Sequence, residues 1–166
     1  MNTLMTIYLS FLLFLMSLAD SESIIPNGTL SYIANGISVT STRTQAILMP
    51  EDEGQTLIIN ANSHEDNLNR TLGISIKEAF TGVGSYTIGT ISCGSKAAAM
   101  MNEISNDFNH IYQSLHCDGT LNVIEHNIAT QTISGSFNMT LTHSDDGTEV
   151  TITNGEFSQL PLTLVD

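Results

Sequence analysis

Residues 119–159 read GTLNVIEHNIATQTISGSFNMTLTHSDDGTEVTITNGEFSQ. From Ile133 the apolar or small residues fall at every second position: Ile133, Gly135, Phe137, Met139, Leu141. The positions between them are polar. Period two describes a strand with one buried and one wet face. Ser144-Asp145-Asp146-Gly147 turns the chain, and Val150 and Ile152 resume the alternation. Phe157 then falls on the opposite parity. A β-bulge at Asn154-Gly155, with Gly155 at φ > 0, returns it to the core face. This stretch specifies architecture and carries no catalytic or ligand-binding motif.

Upstream the same grammar continues. Thr29–Ala34 is a strand, and Asn35-Gly36 is a type I′ hairpin signal. Ile37 and Val39 open a second strand that continues through Thr40–Met49. Gln55–Asn62, Thr71–Ala79 and Ser85–Gly89 follow as further strands. Ser95–His116 is ambiguous. Ala97, Met101, Ile104, Phe108, Ile111 and Leu115 recur at helical spacing, and the pattern alone predicts a helix. Ser105-Asn106-Asp107 serves equally as a hairpin turn. Leu160, Leu162 and Leu164, broken by Pro161, read as a short terminal edge segment.

The chain has 166 residues, enough for one domain. Residues 1–19 carry no charge, and Leu4–Leu18 is almost continuously apolar. Ser17-Leu18-Ala19 supplies the small residues of a cleavage site before Asp20. The segment reads as a secretory signal peptide, although its start lacks Lys and Arg. Its apolar run is shorter than the ~20 residues of a spanning helix. The expected organisation is a signal at 1–19, a short lead at 20–27 and one domain over 28–166. The product is exported, periplasmic or extracellular, with no stable membrane insertion after cleavage.

Seventeen acidic side chains against four basic ones give a net charge of −13. That balance argues against nucleic acid, whose phosphates call for Lys and Arg. The absence of Trp weakens an aromatic sugar platform. Two cysteines, Cys93 and Cys117, are expected to pair in an oxidising compartment. Closing that loop is worth roughly 3 kcal/mol in the chain-entropy account.

Candidate chemistry is thin. Glu51-Asp52-Glu53 lacks the ligand series of a calcium loop. His64 beside Glu65 and Asp66 is a loop histidine. Extrapolated strand pairing brings His116 and Cys117 towards His143, the one constellation worth naming. Glu125 and Glu149 are the carboxylates to weigh as a glycosidase pair. Asn27, Asn69 and Asn138 each begin an N-glycosylation sequon. None of these supplies a catalytic set, a metal site or a cofactor. The expectation is therefore a non-enzymatic binding module with a protein or glycan partner. The alternatives are assembly through an edge strand and, further off, a small hydrolase.

YIANGI (32–37), GSYTIG (84–89), ISGSF (133–137) and GTEVTITNGEF (147–157) occur in this order and spacing. In these motifs the chain resembles a family of small exported, lipoprotein-like β-domains of unknown function from Bacteroidota-type bacteria. The resemblance implies an all-β, antiparallel, sandwich-like domain of about nine or ten strands. It also implies a strand hairpin over Ser95–His116. The chain departs from that family in lacking a lipidated Cys after its signal and in having the two cysteines. The family implies no activity and no site residues.

Overall fold

A computed structural model describes residues 28–51, 54–77, 79–90, 92 and 94–165. The signal and lead over 1–27, Asp52 and Glu53 of the acidic loop, and Cys93 lie outside the described residues. The described chain is all-β. Its strands are β1 (Thr29–Ala34), β2 (Ile37–Thr40), β3 (Arg43–Glu51), β4 (Gly54–Glu65) and β5 (Leu68–Ile76). β6 (Gly84–Ile88), β7 (Ala97–Ile104), β8 (Asn109–Gln113), β9 (Gly119–Asn127), β10 (Thr132–His143) and β11 (Glu149–Leu164) follow.

All eleven belong to one hydrogen-bonded sheet that folds over on itself. One layer runs β2-β1-β11-β10-β9-β6 and the other β3-β4-β5-β7-β8. The sheet turns its corners where β11 pairs parallel with β3, Leu162–Leu164 against Ala46–Leu48, and where β8 meets β10 at Tyr112 and His143. A third corner is the single parallel link of Ile88 to Ala97. The inner faces of both layers share one apolar core, which includes Leu30, Ile59, Leu72, Met101, Phe137 and Phe157. Burying each such side chain is worth roughly 1.5–3 kcal/mol.

Asn35 and Gly36 both have positive φ, 47° and 85°, as the type I′ turn requires. β2 and β3 are not one strand. Ser41 N donates to Leu30 O and Thr42 N to Asn62 O, so the chain crosses between layers at that point.

The helix predicted over Ser95–His116 is a hairpin of β7 and β8, as the resemblance implied. Ser105 caps its turn, with its Oγ accepting from the backbone N–H groups of Asp107 and Phe108. The apolar run misleads because Ala97, Ala99 and Met101 are buried on the core face while Met100 is buried on the other. A strand buried on both sides shows no alternation.

The bulge at Asn154-Gly155 is present, but the positive φ (50°) belongs to Asn154. Gly155 has another task. A Cβ there would lie 2.4 Å from Cε2 of Phe137 and 2.6 Å from its carbonyl oxygen. Gly135 is its mirror, since a Cβ would lie 2.5 Å from Cζ of Phe157. Gly135 pairs with Phe157, and Phe137 with Gly155, across β10 and β11. Each ring thus lies over the glycine of the opposite strand. The two G-x-F motifs are one reciprocal interlock, with ring centroids 6.5 Å apart.

A second irregularity, with Gln159 at φ 50°, returns Leu160 and Leu162 to the core. The terminal leucines are not an edge. Leu160 pairs with Ile133 of β10, and Leu162–Leu164 pair with β3.

Candidate functional site

The core is polar at one end, where four strands bring side chains to one line. Strand register aligns Ser63, Arg70, Glu103 and His110 across β4, β5, β7 and β8. The next line is Ala61, Leu72, Met101, Tyr112 and His143. Arg70 is only 8% exposed and is held by Glu103 (2.7 Å) and Glu65 (3.2 Å). Burial opposes the guanidinium charge, but the Glu103 hydrogen bond and charge outweigh it and hold Arg70 above its ordinary value. Tyr32 reaches this group from the opposite layer. Burial pushes its phenol up to about 12, against the lowering effect of the Arg70 charge.

Beside this group stands a cluster of rings. Phe108 and His110 meet edge to face at 4.6 Å, His110 and His143 lie 4.7 Å apart, and Tyr112 and His143 lie 5.2 Å apart. His143 Nδ1 is 2.8 Å from Asp146 Oδ1. The same oxygen accepts from Thr148 N at 2.9 Å and from the Thr148 hydroxyl. Those Thr148 hydrogen bonds, aided by His143, lower the Asp146 carboxyl to about 2.

The sign of the Asp146 shift sets a pH window. The carboxyl ordinarily titrates at 3.8, so its contribution is complete above that value and is lost as pH falls through about 2. Asp146→Asn is expected to remove this acid limb from a series of thermal melts. An unchanged limb would remove Asp146 as its source.

The site residues expected from sequence take different partners. His116 Nε2 faces Glu149 Oε1 at 3.4 Å, whereas His143 faces Asp146, His110 and Tyr112. β8 occupies the place beside β10 that the extrapolated pairing assigned to the His116 segment. Glu125 sits opposite Ser134 and Glu149 opposite Thr142, at the two ends of β10. Eight residues of strand, about 27 Å, separate those positions, far beyond any paired-carboxylate geometry. His64 Nδ1 lies 2.7 Å from Asn69 Oδ1 across the exposed end of the β4–β5 hairpin. Among the described residues no three His, Cys, Asp or Glu converge on a point that would hold a metal ion. Because Cys93 lies outside the described residues, its bond to Cys117 remains an expectation.

Two features escaped the sequence reading. One is the polar end, because its members come from strands whose register the sequence does not display. The other is a shallow groove of about 320 Å³ on β10 and β11. Asp118, Asn138, Thr140, Thr151, Thr153 and Asn154 supply its polar lining. The Asn154 bulge lies along its lining. Its only advance signal was the polar half of the alternation in β10 and β11.

The chain is thus an all-β domain with an interlocked core and an ion-paired end. It belongs to the DUF6252 family, a domain of unknown function, which matches residues 33–161. No curated protein and no solved structure matches it.

Proposed function

We propose that this chain is an exported, non-catalytic binding module that takes a hydroxyl-rich ligand, a glycan, on the outer face of β10 and β11. The groove carries this reading. Its amides, hydroxyls and single carboxylate are outward-facing donors and acceptors on a rigid sheet, the type of group that fixes a polar ligand. The charged side chains of the polar end are already paired with one another, which favours a structural role for them. Export rests on the apolar segment 1–19 and its small-residue cleavage site. The Cys93–Cys117 bond belongs to the same reading. Gly89 packs within 2.9 Å, measured from an added Cβ, of Cys117 Cα, so the loop carrying residue 93 starts beside Cys117. A panel of immobilised glycans tests the proposal. Asn138→Ala with Thr151→Ala is expected to weaken the best binder about tenfold or more, the worth of one to two hydrogen bonds. A folded protein that retains no glycan would sink it.

A second reading is assembly through a sheet edge. The terminal leucines are taken up by β10 at Leu160 and by β3 at Leu162–Leu164, so that role passes to β2, whose pairing is with β1. Its Ile37 is 54% exposed. Short edge strands are poor templates for pairing, and this reading ranks below the first. If β2 assembles, Ile37→Lys is expected to convert a concentration-dependent oligomer to monomer in light scattering. A parent chain that is monomeric at every concentration removes the idea.

A further inference from the structure

The four basic side chains of the protein all belong to one layer. Arg43 is in β3, Arg70 is in β5, Lys77 follows β5 and Lys96 precedes β7. The strands of the other layer, β2-β1-β11-β10-β9-β6, contain no Lys or Arg. On the outer face of that layer the exposed charged side chains are carboxylates: Glu125 on β9, and Glu149 and Glu156 on β11. Glu149 faces His116 at 3.4 Å, so that imidazole, when protonated, is already met by a carboxylate. Glu156 stands in register between Ser31 and Ser136, with hydroxyls and no cation on either side. Asp118, exposed just before β9, lines the groove itself. Among the described residues none forms an ion pair with it.

Charges of one sign on one face sum to a field that attracts counter-charge and repels like charge. An acidic sugar therefore meets repulsion over β9, β10 and β11, and a neutral sugar gains nothing from the charge. A protonated amine gains a charge-assisted hydrogen bond at Asp118, roughly twice as strong as a neutral one. We propose that the groove selects a glycan with free amino groups, an assignment that rests on the glycan reading of the groove and narrows it. The Asp118 carboxylate receives the ammonium, and Asn138, Thr140, Thr151 and Thr153 meet the hydroxyls. The rest of the polar lining comes from β10 and β11, so Asp118 stands on the flank nearest β9. The amine has one place to sit, and that place orients the sugar across the groove.

Two oligosaccharides of one skeleton test this by titration calorimetry: β-1,4-linked glucosamine oligomers with free amines, and the same oligomers N-acetylated. Acetylation removes the charge and keeps the ring hydroxyls. In weakly acidic buffer of low salt, the free-amine oligomer is expected to bind about fivefold more tightly. Raising the salt to about 1 M, where the Debye length is about 3 Å, is expected to erase the difference. Asp118→Asn is expected to bring the ratio of the two affinities close to one at low salt, with far-UV circular dichroism as the check on folding. Equal affinities in the parent chain overturn the amine assignment and leave the glycan function standing, as does tighter binding of a polygalacturonate. A preference that survives Asp118→Asn also overturns it. So does a lysine-rich peptide held as tightly as the amino oligomer and equally weakened by Asp118→Asn, because the ligand would then be a basic peptide. A folded chain that retains no glycan of any class removes the glycan function itself, and the amine assignment with it.

Discussion

Gly155→Val is expected to destabilise the domain by about 3 kcal/mol, a fall of roughly 10 °C in Tm for a chain of this size. The branched side chain enters the space held by the Phe137 ring and its backbone carbonyl. The ring cannot retreat, because it is 2% exposed and packed against Tyr32 and Phe157. The carbonyl is fixed by the ladder between β10 and β11. Thermal melts of the single and double variants separate a steric cause from a conformational one. Phe137→Ala is destabilising alone, but added to Gly155→Val it should cost at least 1 kcal/mol less than additivity requires, since neighbours that collide are coupled. Additive losses would count against the interlock. So would a Tm for Gly155→Val within a degree of the parent.

Arg70→Met is the second large effect, expected to cost about 3–5 kcal/mol. The substitution keeps an apolar stem in the core and removes the cation between Glu103 and Glu65. Glu103, itself only 16% exposed, is left without its 2.7 Å partner. Most of the loss is the desolvation cost of that orphaned carboxylate, so Arg70→Met with Glu103→Gln should recover a large part of it in denaturant melts. The outcome that sinks this account is a single variant within 1 kcal/mol of the parent, or a double variant no better than the single. The Glu65 contact contributes less, because Glu65 is 48% exposed and its charge is screened by water.

Much of this fold was legible in local pattern. The β1–β2 turn is written in Asn35-Gly36, and the alternation of β10 exposes its core face residue by residue. The parity break before Phe157 located a bulge, because period two cannot otherwise bring Ile152 and Phe157 to the same side. The misreadings have physical causes. Ala97–Met101 buries both faces, so the signal that separates strand from helix was missing there. Gln159 adopts a left-handed conformation that nothing in its chemistry announces. The role of Gly155 could not be read from β11 alone, because the atom that excludes a side chain belongs to Phe137. The polar end is a stronger case. Ser63, Arg70, Glu103 and His110 lie on four strands, and only the register of three strand pairs lines them up. Local sequence holds no record of those registers, so the expectation settled on His116, His143 and Cys117, which are near in sequence or in extrapolated pairing.

β11 belongs to both layers: it pairs with β1 over Thr29–Ala34, with β10 along most of its length, and with β3 through its last residues. It is also far from β1 in sequence. Leu30 finds its neighbour in Phe157, so the β1–β2 hairpin waits for β11 before it has a sheet to join. Contacts so distant in sequence make closure slow relative to local hairpin formation. Until β11 arrives, the layers lack the corner at Leu162–Leu164 and are joined only through β6–β7 and β8–β10.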